Sequence, residues 1–173
     1  SAEATVTRYL DHAWSGDELG VGAGEEQRWG SGKVQITAVR LLDKEGEERQ
    51  CYRPGESLTV EMDCKSEGRI EDPVFGLAIH RADGTHITGP NTQFAGCEIP
   101  WIEQNGVVRY TVPYLPLLEG TYYISVSAHD VGAIEIYDYH DRLYPFRVVQ
   151  SGGERYGVVT LRGDWAWDGH ADV

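Results

Sequence analysis

The chain is short of cysteine and of basic residues, and both shortages restrict its function. It has 3 cysteines in 173 residues. No Cys-x-x-Cys pair occurs, which excludes a zinc knuckle or a thioredoxin motif, and reduced thiols in the cytoplasm are the simplest reading. Only 15 Lys and Arg stand against 28 Asp and Glu, a formal charge of −13. Such a chain lacks the basic surface of a nucleic-acid binder, and anionic lipid should repel it.

Long apolar segments are missing too. No uncharged apolar run approaches the ~18–20 residues of a transmembrane helix, and no signal-peptide pattern opens the chain. We therefore expect a soluble protein that does not insert directly into a membrane. The length and the hydrophobic content of 40% fit one globular domain. The acidic balance suits a neutral ligand, or a small anion held by a few local cations.

Motifs for catalysis and for metal binding are equally scarce. Residues 30–33 (GSGK) look like the end of a phosphate loop, but Gln27 stands where that loop requires glycine, and Val34 follows the lysine. There is no Gly-x-Ser-x-Gly elbow and no His-x-His triplet. The His-Asp pairs at 129–130 and 140–141 resemble metal-ligating dyads, yet we place them at a strand end and in a loop. We expect no cofactor, no metal and no catalytic residue.

Alternation of apolar and polar residues from Lys33 onward predicts β-structure. We expect about nine short strands, with turn signals every ~8–14 residues and no convincing amphipathic helix. Residues 66–69 should break one of these strands, and residues 156–162 should form another. The pattern predicts an all-β, antiparallel β-sandwich of the immunoglobulin or jelly-roll kind. Residues 1–27, rich in Gly, Glu and Asp, are predicted to be a linker or arm.

Two predicted strands, residues 74–80 and 122–129, can be divided into faces because side chains alternate along a strand. Their core faces carry apolar residues: Phe75, Leu77, Ile79, Tyr122, Ile124, Val126 and Ala128. If the strands are neighbours, four small outward residues form the floor of a trough: Gly76, Ala78, Ser125 and Ser127. Three larger residues form its rim: His80, Tyr123 and His129. Such a trough suits an elongated polar ligand such as a sugar chain.

A second group of hydrogen-bonding side chains surrounds the hairpin predicted at residues 82–85. From the two groups we predict these glycan-binding residues: His80, Arg81, His86, Asn91, Tyr123, Ser125, Ser127 and His129. Three alternatives stay open at this point, namely a solvated strand, a face covered by another subunit, and an ordinary polar hairpin.

The C-terminal run after the Gly-Gly pair at 152–153 follows an apparently complete domain. A terminal strand after a flexible hinge is easily exchanged between protomers, so we expect a dimer with an exchanged strand at about residues 154–164. The alternative is an edge strand that folds back on its own sheet.

Several segments together resemble a known family. They are residues 28–36 (RWGSGKVQI), 53–60 (RPGESLTV), 73–84 (PVFGLAIHRADG), 91–92 (NT), 119–122 (EGTY) and 163–165 (GDW). Over about residues 28–168 the chain is similar to the C-terminal carbohydrate-binding domain of Wzt, the ATPase component of the bacterial ABC transporter that exports O-antigen polysaccharide.

The resemblance implies an immunoglobulin-like β-sandwich that dimerises by exchanging its C-terminal strand. It implies recognition of the non-reducing end of a lipid-linked O-polysaccharide at the cytoplasmic face of the inner membrane. Residues 1–27 would then lead from an upstream ATPase domain, and residues 28–173 would form the carbohydrate-binding sandwich.

Three classes of function compete. The leading hypothesis is a non-catalytic glycan-binding module, whose partners would be the polysaccharide, a second copy of the chain and the transporter. The second is a dimerisation or docking domain without a glycan site. The third is an enzyme on a β-sandwich scaffold, which requires two carboxylates within roughly 5–10 Å of each other in a cleft.

Overall fold

The computed structural model of the protein describes residues 27–150 and 152–167. Apart from Gln27, the predicted arm lies outside these residues. The described part contains no α-helix, and so none that could cross a bilayer. Its nine strands are β1 (Arg28–Trp29), β2 (Val34–Leu42), β3 (Cys51–Tyr52), β4 (Leu58–Glu71), β5 (Val74–Arg81), β6 (His86–Thr88), β7 (Trp101–Val112), β8 (Gly120–His129) and β9 (Ile136–Val148).

The strands form two sheets. The six-stranded sheet has the order β1-β9-β8-β5-β6, with β3 added alongside β9, and the three-stranded sheet has the order β2-β4-β7. Every pairing between these strands is antiparallel except that of β3 with β9. The predicted all-β, immunoglobulin-like antiparallel sandwich is confirmed.

The hydrophobic core lies between the sheets, where the alternation places it. On β8 the predicted core residues are each 0% exposed: Tyr122, Ile124, Val126 and Ala128. The predicted core residues of β5 are buried as well: Phe75, Leu77 and Ile79. Because successive side chains point to opposite faces of a strand, the residues between them are directed away from this core.

Three strands are longer than predicted, because segments that look like loops pair within a sheet. β4 continues through residues 66–69 to Glu71, with an irregularity in register between Ser66 and Ile70. β7 already begins at Trp101. β9 begins at Ile136, so the placement of residues 140–141 in a loop is wrong.

A buried carboxylate explains why the polar start of β9 lies in the sandwich. Asp138 accepts hydrogen bonds from Arg28 Nη2 at 2.8 Å and from the backbone N–H of Ile36 on the opposite sheet at 2.7 Å. His140 Nε2 is 3.2 Å from the same carboxylate, and His140 Nδ1 is 2.6 Å from the Tyr144 hydroxyl. Burial acts to raise the pKa of Asp138, but the bonds from His140 and Arg28 outweigh it and lower that pKa. The network ties the two sheets together.

The C-terminal run makes little regular structure within its own chain. A single antiparallel bridge joins Leu117 to Val159, flanked by two backbone hydrogen bonds of 2.8 Å. In the single chain, residues 156–162 therefore form one bridge and no strand. Exchange of this segment with a second chain stays a prediction.

Candidate functional site

The predicted trough required β5 and β8 to be neighbours, and they are. Their register sets outward residues opposite each other in four pairs: Val74–His129, Gly76–Ser127, Ala78–Ser125 and His80–Tyr123. β6 continues the sheet beyond β5, and β9 continues it beyond β8. The outward side chains of β1, β9, β8, β5 and β6 make one surface, called the outer face below.

The middle of the outer face carries only small residues, and we keep the name trough for the floor that they form: Gly76, Ala78, Ser125 and Ser127. A Cβ on Gly76 would lie 3.0 Å from Ser127 Oγ and 3.4 Å from Asn91 Cβ, so a larger residue would crowd both. Asn91 pairs with Gly76 in an isolated bridge, and its Oδ1 accepts the N–H of Phe94 at 2.7 Å. This predicted residue therefore borders the trough on the β6 side.

Two histidines close one end of the trough. The rings of His80 and His86 stack with centroids 4.9 Å apart and planes 23° apart. Tyr123 lies opposite His80 in the register. Burial, followed by the charges of His86 and Arg142, lowers the pKa of His80, so its ring is neutral at neutral pH. Three predicted residues thus meet here as hydrogen-bonding rings.

An aromatic pair that the sequence reasoning missed lies at the other end. Trp29 and Tyr139 stack with ring centroids 4.4 Å apart and planes 21° apart. Tyr139 is opposite Ser127 in the β8–β9 register, so the pair borders the floor. Trp29 is 49% exposed, which leaves ring surface for a ligand. The two-residue strand β1 is too short to show alternation. The sequence signal available for Trp29 was the Arg-Trp-Gly motif at residues 28–30.

Next to the histidine end, β9 presents a charged pair. Ser125 Oγ accepts the N–H of Arg142 at 2.8 Å and donates to Asp141 Oδ1 at 3.2 Å. Asp141 Oδ2 in turn binds Arg142 Nη2 at 2.8 Å. Ser125 is only 1% exposed, and its hydroxyl both donates and accepts within the protein. The structure thus gives this predicted binding residue a positioning role beneath the pair.

The last two predicted residues, His129 and Arg81, lie far apart. His129 is six residues from Tyr123 along β8, about 20 Å away, and its Nδ1 is 2.7 Å from the backbone oxygen of Asp130. Arg81 ends β5, where its Nη1 lies 3.7 Å from an Asp83 carboxylate oxygen. Arg81 joins the histidine end of the trough, whereas His129 does not.

The chemistry of the outer face is that of holding a polar ligand. Stacked rings present flat surfaces for C–H groups, while hydroxyl, amide and charged side chains offer hydrogen bonds. Within residues 27–150 and 152–167, no three His, Cys, Asp or Glu side chains converge as metal ligands would.

Comparison with known proteins identifies the family. The Wzt C-terminal domain family matches residues 25–161, which include every strand described above. The chain belongs to this family. Wzt C-terminal domains are non-catalytic, so membership confirms the prediction that the chain is not an enzyme.

Two relatives agree with this assignment. The O-antigen export system ATP-binding protein RfbB of Myxococcus xanthus is 35% identical over 97 residues, which is 56% of this chain and 22% of that protein. The chain thus spans about a fifth of the length of this relative. A crystal structure of the C-terminal domain of Wzt has a TM-score of 0.74 at 20% identity, covering 80% of this chain and 86% of that one. At this level of identity the likeness shows the shared fold.

Proposed function

We propose that this Wzt C-terminal domain binds the non-reducing terminus of a lipid-linked O-antigen polysaccharide and thereby selects it for export by an ABC transporter. Membership of the family supports a role in O-antigen export, as does the name of the Myxococcus relative, an O-antigen export system ATP-binding protein. The polysaccharide and the ATPase domain of the full-length chain are the proposed partners. The domain would act at the inner face of the bacterial inner membrane, with residues 1–27 leading from the ATPase domain.

The observation that carries the proposal is the trough itself. Its small-residue floor lies between the ring pair Trp29–Tyr139 and the ring pair His80–His86. Ser127 and Tyr123 are four positions apart on β8, so the two ends are about 14 Å apart along the strand. A sugar chain fits this arrangement because its C–H faces stack on rings while its hydroxyls bond to polar side chains. The net charge of −13 favours a neutral glycan over a polyanion.

Titration with the O-polysaccharide of the source bacterium tests the proposal. The folded domain is titrated by chemical shift or heat with the intact polymer and with polymer stripped of its terminal residue. We expect binding to the intact polymer alone, with shifts confined to the outer face. Equal binding of both polymers would contradict end recognition, and binding of neither would contradict the glycan function.

A dimerisation or docking domain is the second candidate, and the C-terminal run favours it. Tyr156, Leu161 and Trp165 are 90%, 88% and 101% exposed in the single chain. Large apolar side chains in this number are typical of a surface that another chain covers. We propose that the domain is a homodimer in which residues at about 154–164 are exchanged.

Deletion of residues 152–173 separates the two candidates. If the segment is exchanged, the truncated chain should be monomeric or poorly soluble in light scattering, while the full chain is a dimer. A soluble, well-folded dimer after truncation would contradict strand exchange. Glycan binding by a folded truncated chain would show that the trough works without the dimer.

A further inference from the structure

A cleft opens at the histidine end of the trough. It encloses about 450 Å³, within the range of small-molecule sites, and is lined by Gln27, Arg81, Ala82, Asp83, Gly84, Tyr123 and Arg142. The cleft lies between the turn after β5, the start of β1 and the middle of β9. It therefore lies where the trough ends, which is the position that the last residue of a polymer would occupy.

The backbone of β9 is held in an unusual conformation at this cleft. Arg142 has a φ of +51° inside a strand, a conformation that a residue with a long side chain rarely adopts. The β8–β9 register shifts between Ile124 and Val126, and the buried Ser125 hydroxyl holds the resulting bulge. Bulges of this kind re-aim side chains, and local strain is concentrated at functional sites. Here the bulge directs Arg142 into the cleft.

Two buried polar atoms in this region have no hydrogen-bond partner among the described residues. They are Gln27 Oε1, on the wall of the cleft, and His80 Nδ1, in the ring beside Tyr123. Buried polar atoms are nearly always satisfied, so each such atom calls for a partner. Gln27 Oε1 accepts hydrogen bonds only, which means that its partner must be a donor. A hydroxyl meets this need, whereas a phosphate or carboxylate anion does not.

The charges at the cleft cancel locally. Arg142 is paired with Asp141 at 2.8 Å, and Arg81 lies 3.7 Å from Asp83. Two guanidinium groups and two carboxylates leave no excess positive charge to hold an anion. Carboxylate and guanidinium groups side by side match adjacent hydroxyls, because one accepts from a hydroxyl proton and the other donates to a hydroxyl oxygen.

We infer that this cleft is the subsite for the terminal residue, and that it takes a neutral sugar through adjacent hydroxyl groups. The inference rests on the proposed glycan-binding function and deepens it. Arg142 is its specificity-determining residue, Gln27 accepts a further hydroxyl, and Asp141 and Ser125 position the Arg142 guanidinium. Neither Arg142 nor Gln27 belongs to the set predicted from the sequence.

Three single variants of the full 173-residue chain test the subsite. Arg142→Asn removes the guanidinium while keeping a residue that tolerates positive φ. Gln27→Met removes the unpartnered acceptor at similar size. Arg109→Asn is the matched control, because Arg109 pairs with Glu61 on the opposite sheet. The probe is the O-polysaccharide of the source bacterium, titrated at roughly 50 mM and roughly 500 mM salt, which spans weak to strong screening.

We expect Arg142→Asn to weaken binding by roughly tenfold or more and Gln27→Met by roughly fivefold, with no change for Arg109→Asn. We also expect the wild-type affinity to be the same at both salt concentrations, since the ligand is neutral. Wild-type binding that neither cleft variant weakens would overturn the subsite. Weakened binding together with a strong salt dependence would overturn the neutral class and indicate an anionic sugar. If the wild-type chain binds no polysaccharide at all, the proposed function itself fails.

Discussion

The two sheets present outer faces of different kinds. On the three-stranded sheet, Glu61 binds Arg40 at 2.8 Å and Arg109 at 2.5 Å, and Arg40 also binds Asp63 at 2.7 Å. Opposite charges on neighbouring strands thus satisfy one another. On the six-stranded sheet, stacked rings flank a floor of small residues, and two buried polar atoms at one end have no hydrogen-bond partner within residues 27–150 and 152–167.

The difference indicates where a ligand binds. A face whose charges are matched across strands needs nothing further from another molecule. A face with unsatisfied hydrogen-bonding groups and accessible rings favours ligand binding, because the ligand can satisfy those groups and cover the rings. If this difference is functional, binding depends on the outer face of the six-stranded sheet, and stability depends on the layer between the two sheets.

The largest effect is expected from a substitution in the buried layer between the two sheets. Asp138→Ala should lower the free energy of unfolding by about 3 kcal/mol, because it leaves Arg28 and the Ile36 N–H without their buried acceptor. Urea unfolding measures this loss. The loss of unfolding free energy is limited because the Arg28 side chain is 46% exposed and can bond to water instead. A loss below about 1 kcal/mol would show that the carboxylate does not tie the sheets together.

The next prediction concerns the floor of the trough. Ser127→Trp should abolish polysaccharide binding, because the indole would cover the floor beside Gly76, which lies opposite Ser127. Thr111→Trp is the control on the opposite sheet, where Thr111 is exposed and bonds to Thr59 at 2.9 Å. It should leave the affinity unchanged. Both variants should be folded by circular dichroism, and unchanged affinity in a folded Ser127→Trp chain would place the site elsewhere.

The sequence was most informative where one face of a strand is apolar. Alternation on β5 and β8 predicted the buried residues Ile79 and Ile124, and with them the outward positions of Gly76 and Ser127. Turn residues at 82–85 likewise predicted the hairpin after β5. These features depend on local pattern, which a single sequence carries.

The part that escaped prediction depends on contacts between distant segments. The start of β9 looks like a loop because it contains Asp138, His140 and Asp141, yet two of these are buried by pairing with Arg28 and Tyr144. Polar residues enter a core only when partners from elsewhere satisfy them. A composition argument cannot supply such partners, so the Trp29–Tyr139 pair and the cleft beside Arg142 were missed together with β9.

Two tryptophans of equal exposure give a finer test of the comparison. Trp29 on the outer face and Trp101 on the three-stranded sheet are each 49% exposed. Trp29→Ala should weaken polysaccharide binding by roughly two- to tenfold, because a stacking surface is lost. Trp101→Ala removes a ring that stacks against Arg69, 4.3 Å from its centroid, and should not change the affinity. Calorimetry measures both, and similar losses in the two variants would contradict a site confined to one face.

The smallest effect expected is a dependence of stability on pH that arises at the outer face. The strands of the three-stranded sheet contain no histidine, whereas His80 lies at the end of the trough. Burial lowers the pKa of His80 below its ordinary value of 6.5. Well above pH 6.5 the ring is neutral in both folded and unfolded chains. As the pH falls below 6.5, the unfolded chain binds the proton more readily than the folded chain, so stability is lost.

Replacement of His80 isolates its contribution to the pH dependence of stability. His80→Gln cannot take up the proton, so its free energy of unfolding should fall less than that of the wild-type chain between roughly pH 7.5 and roughly pH 5.5. Urea unfolding at the two pH values gives the comparison. Titrating groups that do not contact His80 act in both chains and cancel when the two losses are subtracted. Equal losses would mean that the His80 ring is not held neutral by its surroundings, and the trough would then gain a positive charge in mild acid without cost to the fold.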